Sequence, residues 1–232
     1  MNMERYIEKN INGEIYLVKT PEWAAEQKKL MLEHKIRLAN LPIHIKDLEL
    51  KNYISDSRSI PRKLELYVSE FNDKYKNIHL YFWSHENGTQ KTTVAGIVGK
   101  MLLEKGKTVC FVSMGELLKN LQSEQFDEDL SSLISLYKTC DFLIIDDCFD
   151  KRKATMYKSG WQISFLDQFL RYRLETVRLA TCFTSNFEIS EIDDSVFSIG
   201  IKKLIERSVP DPFHFDTLYQ QRNKFNPADL WS

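Results

Sequence analysis

The chain has 232 residues, with 32 Lys plus Arg against 33 Asp plus Glu, 43% hydrophobic and 12% aromatic residues. That composition excludes global disorder, and only eight Gly and six Pro exclude collagen-like and low-complexity chains. A net charge of −1 excludes a strongly basic nucleic-acid protein but leaves room for a local basic patch.

The length suits one ordinary domain, or one with a short appendage. No apolar run approaches the ~20 residues needed to span a bilayer. The start, MNMERYIEKN, mixes charges and has no apolar core, so no signal peptide is expected and a cytoplasmic location is. Cys110, Cys140, Cys148 and Cys182 form no C-x-x-C pair and lie in or beside apolar runs, which predicts buried reduced thiols.

In chain order, a short strand is expected at Glu14–Val18. Pro21 then opens a helix through WAAEQKKLMLEHKIRLA. LPIHIKDLELKNYI reads as an extended, turn-rich connector. A helix follows Pro61, with Leu64, Leu66, Tyr67 and Phe71 on one face. From Asn77 onward strands alternate with helices. Strands are expected at Asn77–Trp83, Thr108–Met114, the DFLIIDD run ending at Asp146–Asp147, and Leu179–Thr184. Helices are expected at Lys91–Lys105 with Gly106 as C-cap, at Gly115–Leu121, Asp129–Lys138, Gln162–Glu175 and Ile199–Arg207. Such alternation predicts an α/β fold with a parallel sheet covered on both faces.

In parallel sheets, ligands sit at the carboxyl ends of strands. Three polar signals occupy that place. The first, SHENGTQKTT (Ser84–Thr93), resembles the phosphate loop G-x-x-x-x-G-K-[ST] between a strand and a helix. Lys91 and Thr92 hold its last two positions and Gly88 its middle glycine, whereas His85 and Gln90 replace the two defining glycines. Residues Asn87, Gly88, Thr89, Gln90, Lys91, Thr92 and Thr93 are the candidate phosphate cradle. Its backbone N–H groups would converge on phosphate oxygens at a helix N-terminus. Lys91 would reach the β- and γ-phosphates, and Thr92 would ligate Mg²⁺. A β-carbon at Gln90 would crowd the loop or force an unfavourable φ. The alternative is a helix start with an incidental Lys-Thr pair.

The second signal is the acidic end of LIIDD, about 55 residues beyond Lys91. Carboxylates closing a buried strand are costly unless they meet a cation or partners. Asp146 would bind Mg²⁺, and Asp147 would orient or deprotonate an attacking water. The third is Thr184–Ser185–Asn186, where the Asn186 amide would sense the γ-phosphate or the water. In this order, at successive strand ends, the three favour an ATP-binding module.

These residues resemble the AAA+ ATPases of the DnaC/IstB-like class, which includes bacterial and phage helicase loaders and helper ATPases of some transposons. The resemblance rests on LANLPIHIKDLELKNY (Leu38–Tyr53), NGTQKTT, LIIDD and FLDQFLRYRLETVRLATCFTSN, and covers about Leu38 to Val209. It implies a P-loop AAA+ core of three layers with a parallel sheet, preceded by a short helical N-terminal segment. Residues 1–40 would dock a partner, 41–76 would lead in, and 77–232 would form the ATPase core. It implies ATP and Mg²⁺ as cofactors, weak ATPase activity, and self-association through the core. A hexameric replicative helicase and single-stranded DNA are the implied partners. By the same resemblance Lys203 and Arg207 stand where a neighbour's γ-phosphate would be reached in trans. Lysine cannot make the bidentate contact of arginine. Both would otherwise sit on the solvated face of an amphipathic helix.

DNA contacts are expected at Lys119 in GELLKNL, and at Lys151, Arg152, Lys153 and Lys158, where cations lie near Tyr157. The reading is a helicase loader for DNA replication. Two alternatives remain: a transposition helper binding duplex DNA and a transposase, and a non-hydrolysing adaptor with a degenerate phosphate loop.

Overall fold

The structure, a computed structural model, describes residues 5–12, 14–52, 59–123, 128–150 and 160–215. An antiparallel hairpin comes first, with β1 (Tyr6–Ile11) paired to β2 (Glu14–Lys19). The sequence pattern pointed only to β2. Helix α1 (Pro21–Leu38) starts where expected: the Thr20 hydroxyl accepts the Trp23 N–H at 3.4 Å and Pro21 fills the first turn. The hairpin rests against this helix start, with Tyr6 and Trp23 rings 5.3 Å apart. Two 3₁₀ turns, Ile43–Asp47 and Leu50–Asn52, lead to α2 (Ser59–Ser69). Leu64 and Tyr67 are buried on α2 as expected, but Leu66 is 48% exposed. Two residues on from Leu64, it falls on the opposite side of the helix.

The core is a five-stranded parallel sheet in the order β4-β5-β6-β3-β7. Its strands are β3 (Leu80–Trp83), β4 (Val109–Ser113), β5 (Phe142–Cys148), β6 (Ala180–Ser185) and β7 (Phe213–His214). The α/β fold with a parallel sheet is as expected. Strand β3 is shorter than the expected Asn77–Trp83, because the Ile78 N–H closes a turn onto the Tyr75 carbonyl. Strand β7 has two residues, too few to show a period. The helices are α3 (Lys91–Glu104), α4 (Met114–Ser123), α5 (Glu128–Thr139), α6 (Gly160–Arg171), α7 (Asp194–Phe197) and α8 (Ile199–Ser208). All four cysteines are buried and free. Among the described residues, no helix is long and apolar enough to cross a membrane.

One face of the sheet packs on α2, α3 and the lead-in residues Leu41, Ile45 and Leu50. The other packs on α4, α5, α6 and α8. Helix α3 carries the phosphate-loop lysine at its N-terminus and sits unusually close to its neighbours. A Cβ on Gly99 would lie 3.1 Å from Ile144 and 3.2 Å from Val109, and one on Gly96 would lie 3.3 Å from Ile45. Buried Lys100 of α3 donates to the backbone carbonyls of Lys46 (3.2 Å) and Leu48, fastening the lead-in to the core.

Beyond α6, a π turn (Tyr172–Thr176) turns Arg173 fully inward. Its guanidinium donates to the Thr181 hydroxyl (3.0 Å) and to the carbonyls of Tyr137 (2.7 Å), Cys140 (2.9 Å) and Ala180 (2.8 Å). One side chain thus ties the end of α5 and the starts of β5 and β6. Burial lowers its pKa, partly opposed by Cys140. Arg173→Met removes the donor shared by three buried carbonyls, of which that of Tyr137 keeps the Cys140 thiol at 3.8 Å. It should lower the unfolding free energy by about 3 kcal/mol in urea titrations, at 1–3 kcal/mol for each unsatisfied buried group.

Candidate functional site

The turn after β3 and the first residues of α3 form one wall of a pocket of about 350 Å³. Asn87, Gly88, Thr89, Gln90, Lys91, Thr92 and Thr93 line it, together with Asp146, Asp147, Thr184, Ser185 and Asn186. All three polar signals of the sequence therefore meet at the carboxyl end of the sheet. The volume lies within the usual range for small-molecule sites.

Gly88 has φ +83° and Gln90 has φ +66°, ψ +15°. Gln90 adopts the left-handed conformation that a glycine takes without strain, at about 1–2 kcal/mol for a residue with a β-carbon. The loop therefore keeps its shape with glutamine in the glycine position. No side-chain hydrogen bond caps α3. The first-turn N–H groups of a helix lack intrahelical partners, so this end of α3 suits an anion. Lys91 lies within the loop. Its ammonium donates to the Ser84 carbonyl (3.4 Å), the Glu86 carbonyl (3.0 Å) and the Thr89 hydroxyl (3.1 Å). Burial lowers its pKa, and Asp146 and Asp147 oppose that shift.

His85, at the other missing glycine, does not line the pocket. Its Nε2 pairs with Glu191 Oε2 at 2.7 Å, and its ring meets Trp83 edge-on at 5.3 Å. This contact joins the loop to the 3₁₀ turn Ile189–Glu191 beyond Asn186. No local sequence signal pairs these two positions, which are 106 residues apart.

Strand geometry alone would send Asp146 and Asp147 to opposite faces of the sheet. Both line the same pocket because β5 bulges there. The β5–β6 register passes from Ile145 opposite Phe183 to Cys148 opposite Ser185, leaving two aspartates against Thr184. Asp147 takes φ +57°. The Thr184 hydroxyl donates to Asp146 Oδ1 (2.5 Å) and accepts the Asp147 N–H (3.0 Å). The Ser185 hydroxyl donates to the Cys148 carbonyl at 2.9 Å. Thr92 also donates to Asp146 Oδ1, at 2.6 Å, joining the phosphate loop to the acidic strand. A carboxylate beside a hydroxyl is a hard-oxygen donor set that fits Mg²⁺. The sequence places Thr184 at the end of the fourth strand and assigns a role there only to the Asn186 amide. The available signal was two adjacent hydroxyls at the carboxyl end of the strand ATCFTS.

Lys203 and Arg207 lie on α8, outside this pocket. Lys203 is exposed, and Arg207 pairs with Glu175. Glu175 also pairs with Arg171 at 3.3 Å, and Arg171 with Asp167 at 2.7 Å. Lys119 is exposed on α4. Lys151, Arg152, Lys153 and Lys158 lie outside the described residues.

A parallel α/β sheet whose strand ends carry a phosphate-type loop and an acidic pair is the architecture of a P-loop ATP-binding domain. The family model of the IstB-like ATP-binding proteins matches residues 15–189, and the chain belongs to that family. The match stops short of α8. Among solved structures, DnaI is similar with a TM-score of 0.62 and 20% identity, over 75% of this chain and 94% of that one. The DnaC helicase loader is similar with a TM-score of 0.61 and 18% identity, over 75% of this chain and 99% of that one. The replication initiator DnaA, bound to AMPPCP and single-stranded DNA, is similar with a TM-score of 0.59 and 12% identity over 73% of this chain. This chain spans only half the length of that initiator. No curated protein matches the sequence.

The strain at Gln90 is measurable. Gln90→Gly should raise the thermal midpoint, with a gain of up to about 1 kcal/mol after the added freedom of the unfolded chain. Gln90→Val, β-branched at a positive φ, should lower it.

Proposed function

We propose that this protein is an ATP-binding helicase loader that associates with a replicative DNA helicase and helps place it on single-stranded DNA. The observation that carries the reading is the shared pocket of loop, acidic pair and Asn186. It occurs in a chain three-quarters of which is matched by DnaI and by the DnaC helicase loader, each over nearly its own whole length. In this reading the loop backbone from Asn87 to Thr93 cradles the phosphates, and Lys91 leaves its loop acceptors for the phosphate oxygens. Thr92 and Asp146 would hold Mg²⁺, which neutralises phosphate charge when bound. Asp147 would orient a water and Asn186 would hydrogen-bond it or the γ-phosphate, giving slow hydrolysis. ATP would act mainly as a switch for assembly and release.

Lys203 and Arg207 are the proposed contacts to a neighbouring copy, with Arg207 exchanging Glu175 for phosphate. Residues 77–232 would form the self-associating core and 41–76 its lead-in. Residues 1–40 would be the docking arm. Its exposed Ile15, Leu17, Leu30 and Met31 suit an apolar partner surface. Lys119, Lys151, Arg152, Lys153 and Lys158 are the proposed DNA contacts.

The IstB-like family match favours a second reading, a helper ATPase acting with a transposase on duplex DNA. In size-exclusion chromatography a loader should co-elute with a hexameric helicase and not with a transposase, and the reverse result would select the second reading. For the site, Lys91→Ala should weaken binding of labelled ATP at least about 100-fold, the scale of losing a buried charge-assisted contact. Unchanged binding would refute the pocket as the nucleotide site.

A further inference from the structure

We propose that Thr184 is a positioning residue whose hydroxyl sets the acidic pair for a Mg²⁺–nucleotide complex. The inference rests on the reading of this pocket as a nucleotide site. Its physical basis is the period of two along a strand, which forbids two consecutive carboxylates from facing one side. The bulge at Asp146–Asp147 lifts that restriction by setting both residues against Thr184. Thr184, opposite the bulge and 2% exposed, accepts the Asp147 N–H at 3.0 Å. The same hydroxyl spends its proton on Asp146 Oδ1.

Only a side chain that donates and accepts through one atom can do both. Valine has nearly the same shape and can do neither. Serine keeps the hydroxyl without the methyl. Ser185 bridges to the Cys148 carbonyl independently, so the bulge retains one brace when the Thr184 hydroxyl is removed. Loss of that hydroxyl should therefore disturb the aim of Asp146 and Asp147 more than the fold. Thr184 touches the two aspartates and acts through them.

The test is the affinity of full-length protein for an N-methylanthraniloyl-ATP probe, measured with Mg²⁺ and again with EDTA. Wild type should bind more tightly with Mg²⁺. Thr184→Val should lose about tenfold in the Mg²⁺ arm and less than about twofold in EDTA, as for one lost hydrogen bond to a charged group. Thr184→Ser should restore the Mg²⁺ arm to within about threefold, at similar thermal midpoints for all three. A Thr184→Val protein with the wild-type gain from Mg²⁺ overturns the inference and leaves the nucleotide site standing. A wild type that binds no probe in either arm overturns the nucleotide reading and this inference with it. If Thr184→Val does not fold, Thr184→Ala removes the same hydroxyl with less bulk and is judged by the same ratio. One measurement needs no variant. The Asp147 amide of the nucleotide-free protein should be protected from hydrogen exchange, and a freely exchanging amide refutes the proposal.

Discussion

The close seating of α3 on the sheet is the constraint on which the rest of the structure depends. Two glycines within the helix, Gly96 and Gly99, remove the side chains that would hold it off. Such glycines weaken a helix by about 1 kcal/mol each relative to alanine, so packing must offset them. The offset is visible in Ile45 of the lead-in and in Ile144 and Val109 of the sheet, which fill the space a Cβ would need. Because α3 cannot slide, its N-terminus stays against the ends of β5 and β6. The Thr92 hydroxyl then reaches Asp146 directly.

At that junction two irregularities complement each other. The phosphate loop takes its turn with Gln90 in the left-handed region instead of with glycine. The acidic strand takes its bulge with Asp147 in the same region. Each is locally unfavourable, and each persists because the surrounding hydrogen bonds over-determine it. His85 and Glu191 brace the loop from outside, and the Thr184 and Ser185 hydroxyls brace the bulge from within. The losses of glycine in the motif therefore change the cost of the loop more than its course.

Much of this was legible in the residues. The alternation of apolar runs and helical segments pointed to the parallel sheet, because burial on both faces imposes that pattern whatever the neighbours. The loop, the acidic pair and Asn186 could be read because each follows a strand, and strand ends in such sheets converge. Other features were illegible for definite reasons. Strand β1 has no strong pattern of its own and exists through pairing with β2. Strand β7 is too short to carry a period, and Leu66 was misplaced by reading a face too broadly. The pairing of His85 with Glu191, and of Arg173 with the carbonyls of Tyr137 and Cys140, depends on segments that only the fold brings together.

The sequence by itself determined which polar side chains are candidates for the chemistry and that they stand at strand ends. Residue type and local period are properties of the chain alone. Only the tertiary structure decided that both aspartates face one pocket and that His85 points away from it. It also showed that Gln90 can hold a glycine conformation. Those outcomes depend on register and backbone dihedrals, which are set by contacts between segments far apart in the chain. A one-residue register shift in β5 is invisible in the string LIIDD, yet it turns an alternating strand end into a paired acidic site.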